Sequence, residues 1–319
     1  MKLKLLALTL VALFGMNSVA CAIGLVDAEW LKKNIGNKNV KVMDVADKPN
    51  AFDKEHIPGA IQVKRYLDLS NTDNYPPTTY PTKAQFEKFL SEAGVDNTSI
   101  IVAYDDKSSL FATRLLFLLE LFGHDPAKLK LLDGGIVNWK KLGNKLTDDV
   151  TQIKQSKYKI TKVKSNLLVS WSDIYRDVAQ GAKPEVLLLD SRPENEFKAQ
   201  NIRAIRGGYM PKAVLVTSSD ANDKDAQTFK SKEEIKKMYE AKDVNGDRTI
   251  YTYCHSGDRS AHTYFILKYL LGYKDVKVYG GGWVEWANNV ALPMAGQVWL
   301  WDAPKPVKKE EPKKEELKK

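Results

Sequence analysis

Cysteine and histidine are scarce in this sequence: 319 residues hold two cysteines, Cys21 and Cys254, and four histidines. No Cys/His cluster has metal-site spacing, so no metal is expected, and no Gly-rich loop is present to cradle a nucleotide phosphate. No apolar run reaches the roughly 20 residues that a membrane-spanning helix needs. The basic excess is spread out rather than local: 49 Lys and Arg are interspersed with 40 Asp and Glu for a formal charge of +9. With no aromatic-basic groove pattern either, a nucleic-acid partner is not expected.

What the chain does hold is apolar material, 43% hydrophobic with 10% aromatic residues, which suffices for two cores folded without staples. Residues 1–22 have the layout of a secretory signal peptide: Met1-Lys2-Leu3-Lys4, the apolar LLALTLVALFG, then the small residues NSVACA. The mature protein is therefore expected to be exported, to a bacterial periplasm, and soluble. Two kinds of processing fit: cleavage after Ala20 or Ala22, or a lipobox-like SVAC in which Cys21 becomes a lipidated first residue and a membrane anchor, although Ser18 stands where a lipobox prefers Leu. Processing before Ile23, or lipidation, leaves Cys254 as the only thiol. An oxidising compartment favours paired cysteines, so a lone one reads as a reactive group. The far end, 303–319, is Lys, Glu and Pro, the composition of a disordered solvated tail.

The chain repeats itself. The stretch NVKVMDVADKPNAFDKEHIPGAIQV (39–63) matches EVLLLDSRPENEFKAQ…GYMPKAVLV (185–216), and SIIVAYDDKSSLFATRLLFLLELFG lies ungapped over TIYTYCHSGDRSAHTYFILKYLLGY at a shift of 149, which puts Tyr104 on Tyr253 and Gly123 on Gly272. Short apolar runs ending in Asp44 and Asp190, and the runs at 100–104 and 249–253, read as buried strands, each of the latter followed by a helical pattern. Strands alternating with helices predict an α/β fold, a mainly parallel sheet flanked by helices in each copy. Each copy closes on a Gly-Gly-x-x-x-Trp turn, Gly134, Gly135 and Trp139 in one, Gly281, Gly282 and Trp286 in the other. The expected domains are 24–143 and 167–302, with the polar stretch 144–166 as linker.

Two tandem copies with DSRPENEF, EHIPGA, a CHSGDRS loop between strand and helix, and the Gly-Gly turn together resemble a two-domain rhodanese, a sulfurtransferase, over about residues 24–300. The repeat puts Asp105 at the position of Cys254 and Ala46 at that of Arg192, so the first copy lacks a nucleophile and reads as structural. In the second copy, Cys254 ends a strand and opens a turn into a helix. Backbone N–H groups and the helix N-terminus there favour the thiolate, Gly257 permits the tight loop, and His255 and Arg259 add basic groups.

The resemblance implies a mechanism: the Cys254 thiolate takes a sulfur from a small anionic donor, thiosulfate in preference to 3-mercaptopyruvate, holds it as a persulfide, and yields it to cyanide or a thiol, with no cofactor. The loop His255, Ser256, Gly257, Asp258, Arg259 and Ser260 would surround that sulfur. Arg192 matches the arginine that lies beside the loop in the family, and either binds the donor or pairs with Glu196. Roughly seven residues present only in the second copy carry Arg203 and Arg206, a cationic insertion suited to an anionic substrate or a plain surface loop. Arg259 either contacts the anion or locks the loop onto a carboxylate. Asp258 puts a negative charge near the mouth and leaves the donor open. His56 and His262 read as core or capping residues.

Two rival functions stand beside this one. Cys followed by Arg-Ser also describes cysteine phosphatases, but the loop is one residue shorter than theirs, a ring fit for one sulfur rather than a tetrahedral phosphate. The other rival is a persulfide carrier serving a protein sulfur acceptor, which an exposed apolar patch around the loop would favour.

Overall fold

The computed structural model describes residues 22–47, 50–71, 73–74 and 79–303; the expected signal segment, Cys21 and the Lys/Glu/Pro tail past 303 lie outside the described residues. Twelve strands are present among these: β1 (Gly24–Val26), β2 (Val40–Asp44), β3 (Ala60–Gln62), β4 (Ile100–Tyr104), β5 (Leu129–Leu132), β6 (Leu168–Val169), β7 (Leu187–Asp190), β8 (Arg206–Tyr209), β9 (Val214–Leu215), β10 (Ile250–Tyr253), β11 (Val276–Tyr279) and β12 (Ala295–Trp299). A parallel strand covered on both faces has to be apolar along its whole length. The central strands VKVMD, IIVAY, LLLD and IYTY come close to that demand, the polar exceptions being Lys41, Thr252 and the strand-end Asp44 and Asp190, and are buried almost throughout.

The duplication is plain in the topology. The first sheet runs β1-β5-β4-β2-β3 and the second β6-β11-β10-β7-β9, all parallel, so the same strand order is built twice. Register repeats too: Asp44 lies beside Tyr104 and Asp190 beside Tyr253, at the carboxyl ends of the two central strands. The residues unique to the second copy form β8, which pairs antiparallel with β12.

The helix that follows β4, Leu110–Leu121, is apolar on every side and buried on every side past its first residue. It packs against its counterpart in the second copy, Asp258–Phe265, where Phe117 meets Tyr264 edge-on with centroids 5.0 Å apart. Each aromatic buried there contributes about 2–3 kcal/mol, and one apolar core runs through both copies. Two charged side chains interrupt this helix, and both reach the other domain. Glu120 accepts hydrogen bonds from Tyr264 Oη and Lys268 Nζ, both at 3.0 Å, and Arg114 donates to the carbonyl of Ser256 at 2.7 Å.

The stretch 144–166 is packed along the first domain. Tyr158 and Ile160 are buried in its core, Thr147 bridges to His56, and the Lys159 N–H donates to Asn97 Oδ1. Among the described residues no helix is long and apolar enough to cross a membrane.

Candidate active site

Cys254 follows β10 directly, at the carboxyl end of a central parallel strand where open α/β sheets place their ligands. The chain must then turn into the Asp258–Phe265 helix within three residues. Gly257 makes this possible with φ +103°, and a Cβ at that position would stand 2.8 Å from Arg114 Nη1. The turn aims the Gly257 N–H at Cys254 Sγ, 3.1 Å away, while the Ser260 hydroxyl lies 3.7 Å from the same sulfur and donates to the Gly257 carbonyl at 3.0 Å. The cysteine itself is 1% exposed.

The Gly-Gly turn supports this loop from below. Gly282 sits at φ +60°, where a Cβ would come within 2.6 Å of the His255 carbonyl, and the N–H groups of Trp283 and Val284 donate to the carbonyls of Cys254 and His255 at 2.7 and 3.1 Å. Trp286 donates its indole N–H to the Pro293 carbonyl, as Trp139 does to Lys145 in the first copy.

Around the loop, charges fall into two groups. Arg259 forks onto Glu196 at 2.9 and 3.2 Å, the carboxylate-locking arrangement, and Arg203 joins the same carboxylate at 3.1 Å. Burial alone would raise the Glu196 carboxyl, but the Arg259 and Arg203 guanidinium groups hold it below its ordinary value. Asp258 faces the other way, into the first domain. Arg65 grips it at 3.2 and 2.6 Å and Arg114 Nη1 stands 3.6 Å from Oδ1. Although burial would raise it, Arg114 and Arg65 keep this carboxyl below its ordinary value, so the charge expected at the mouth is offset by cross-domain pairs.

Several sequence expectations change here. Arg192 neither faces an anion site nor pairs with Glu196: it is 1% exposed, its guanidinium is bound to Asp190, with Nη2 at 2.6 Å from Oδ2, and Nη2 also donates to the Gly208 carbonyl. Arg206 is also withdrawn from any substrate. It donates to the carbonyls of Trp286, Ala287, Asn289 and Leu292, which satisfies the carboxyl end of the Gly282–Asn288 helix. Of the insertion's arginines only Arg203 keeps a half-exposed side chain. His255 is not a cation at neutral pH, because burial, with Arg203 beside it, lowers its pKa to about 4. His262 is a core residue stacked on Phe229, and His56 stacks on Phe52.

Sequence reading missed Arg65, Arg114 and Tyr80, all supplied by the first domain. Tyr80 lays its ring against Gly280 and Gly257. One signal was there to be used: an arginine in the middle of LFATRLLFLLEL has to find partners, because a buried unpaired charge is costly.

The first copy shows what such a loop does with a pair of oxygen acceptors. Asp105 accepts four backbone N–H bonds, from Lys107 and Ser109 on Oδ1 at 2.8 and 2.9 Å and from Phe111 and Ala112 on Oδ2 at 2.8 and 2.9 Å. Shifted by 149, the positions of those donors are Ser256, Asp258, Ser260 and Ala261, while the backbone N–H set directly on Cys254 Sγ is that of Gly257. Ser108, the counterpart of Gly257, is also left-handed, with φ +53°.

Both domains match the family model for the rhodanese-like domain, over residues 27–142 and 176–289. The chain is 28% identical over 281 residues to the sulfur carrier protein TtuD of Thermus thermophilus, covering 85% of this chain and 96% of that protein. It is 32% identical over 279 residues to a Saccharopolyspora erythraea protein named "Putative thiosulfate sulfurtransferase", covering 85% and 95%. Among solved structures it resembles the 3-mercaptopyruvate sulfotransferase SseA of Escherichia coli in fold, with a TM-score of 0.72 and 23% identity over 82% of this chain and 99% of that one.

Proposed function

The chain belongs to the rhodanese-like family of sulfurtransferases, and from that premise we propose that Cys254 carries a sulfane sulfur as a persulfide, taken from a small anionic donor, thiosulfate first. The Cys254 thiolate attacks the outer sulfur of thiosulfate, the donor's S–S bond breaks, and sulfite leaves with the bonding pair. Cyanide or a thiolate then attacks the terminal sulfur and releases the Cys254 thiolate.

The observation that carries this reading is the pair of loops. A persulfide has a second heavy atom about 2 Å beyond Sγ, so its anionic end lies near where the Asp105 oxygens sit in the first copy, a place where backbone N–H groups already serve carboxyl oxygens. Arg259, kept beside the cysteine by Glu196, adds a positive charge to the same side. The same site also serves the phosphatase reading poorly: its ring is one residue short, and buried Asp258 stands at the start of the helix that a phosphate would approach.

A second reading has its own support. Tyr66 and Leu67, next to Arg65, are exposed at 58% and 68%, an apolar step beside the loop suited to a protein acceptor, and one relative is named a sulfur carrier. Export to a periplasm, with cleavage after Ala20 or Ala22 or, as the alternative, a lipid anchor at Cys21, remains part of the proposal from residues 1–22.

Intact mass before and after brief exposure to thiosulfate tests the covalent step, with Cys254→Ser alongside. The expected result is a gain of roughly 32 Da in the wild type only, removed by cyanide. A gain in Cys254→Ser overturns the assignment. No gain from thiosulfate or 3-mercaptopyruvate overturns the small-donor reading in favour of protein delivery.

A further inference from the structure

We infer that Arg65, a residue of the first domain, is a positioning residue for the sulfur-accepting loop of the second, acting through Asp258. The inference rests on Cys254 being the sulfur acceptor. Two consecutive residues at the start of the Asp258–Phe265 helix are held from opposite sides: Arg259 by Glu196 of its own domain, and Asp258 by Arg65 across the domain boundary. Nε and Nη2 of Arg65 take one carboxylate oxygen each, at 3.2 and 2.6 Å, a two-point grip that fixes orientation as well as charge.

The gripping group is itself held. The Arg65 guanidinium lies 3.9 Å from the centroid of Phe111 and 4.4 Å from that of Tyr66, Nη1 donates to Tyr66 Oη at 2.8 Å, and Asp47 stands 3.9 Å away. Arg65 sits on a single helical turn, Arg65–Asp68, with 14% of its side chain exposed, so it can be replaced without opening a core. Arg114 is different: it is buried in the apolar helix and also donates to the Leu69 carbonyl and to Ser70.

Asp258 follows Gly257, whose N–H meets the sulfur, so an uncompensated carboxylate at 258 opposes a thiolate at 254. Arg114 and Arg65 together offset that charge, and of the two Arg65 makes the direct two-point contact. The charged groups in play around the two residues are Arg65, Arg114, Arg259, Asp258, Glu196, Asp47 and the Asp190–Arg192 pair, with His255 neutral. The first domain thus contributes electrostatically to the chemistry of the second.

The test is the pH dependence of Cys254 alkylation by iodoacetamide in the full chain, followed by intact mass. It needs no sulfur donor, so its outcome is independent of whether the wild type takes up sulfur from thiosulfate. Arg65→Gln is expected to slow alkylation at pH 7 about three- to tenfold and move the midpoint to higher pH. Asp258→Asn moves the midpoint the other way, and the double variant returns close to wild type. A merely structural brace gives no such rescue. If Arg65→Gln lowers the melting temperature, Arg65→Lys replaces it, keeping the charge without the fork, and its midpoint is expected to fall between those of wild type and Arg65→Gln. An Arg65→Gln profile that superimposes on wild type, a double variant as slow as Arg65→Gln, or an Arg65→Lys midpoint displaced as far as that of Gln overturns the inference.

Discussion

The loops at 105–112 and 254–261 are the same piece of backbone used for opposite ends. Both follow a central parallel strand, both turn through a left-handed residue into a helix, and both rest on a Gly-Gly turn that donates to the first residue's carbonyl, from Ile136 to Asp105 and from Trp283 to Cys254. In the first copy a carboxylate fills the ring of amides from within. Burial raises the Asp105 carboxyl, the four N–H bonds oppose that, and an anion from outside has nowhere to bind. In the second copy the ring surrounds a sulfur that can be extended. What separates a closed structural plug from a reactive site is therefore one side chain, together with the charges brought to the helix start behind it.

Making the second loop resemble the first breaks the comparison most forcibly. Cys254→Asp is expected to abolish sulfur uptake and to lower any sulfurtransfer rate by about a thousandfold or more, while the fold persists because the carboxylate finds the donors that Asp105 uses. Retained turnover by this variant would place the chemistry elsewhere. The converse change probes the plug. Asp105→Asn keeps the shape but turns two acceptor sites into donors that face backbone N–H groups, and should cost about 2 kcal/mol in denaturant unfolding, against under about 1 kcal/mol for Cys254→Ser. Equal losses would mean that the amide ring is no more demanding in one copy than in the other.

Much of this pairing was legible in the residues. The shift of 149 alone placed Asp105 opposite Cys254, and the alternation of apolar strands with helices led to the parallel sheets. What the sequence could not show was where each arginine spends its guanidinium. Arg192 and Arg206 looked like cations for an anionic donor, yet Asp190 and a set of helix-end carbonyls consume them, a matter of burial that no periodicity records. Arg65 and Arg114 were overlooked for the opposite reason: their partners lie 193 and 142 residues away, across a domain boundary, and only the place of Arg114 in an apolar helix hinted that it had one. The antiparallel pair β8–β12 was missed likewise, since its strands are distant in sequence and carry glycines that weaken a strand signal.

The smallest effect expected concerns the two aspartates at the strand ends. Asp190 is paired with Arg192, whereas Asp44 has Ala46 at the arginine's position and only Tyr104 for a side-chain partner, so burial raises its carboxyl to about 7. A carboxyl raised on folding stays protonated in the native state after the unfolded chain has lost its proton. Its contribution is fully present below the unfolded value of 3.8 and is lost as pH rises through about 7. Asp44→Asn removes that loss. It is expected to stabilise the protein by about 1 kcal/mol at pH 8, below the linkage ceiling of roughly 4 kcal/mol because an amide only partly reproduces the protonated acid, and to change little at pH 4. Asp190→Asn should do the reverse at pH 8, since it leaves the Arg192 charge buried without its partner. Urea titrations of both variants at the two pH values decide the matter: a gain for Asp44→Asn that persists at pH 4 would trace it to packing rather than to the missing arginine.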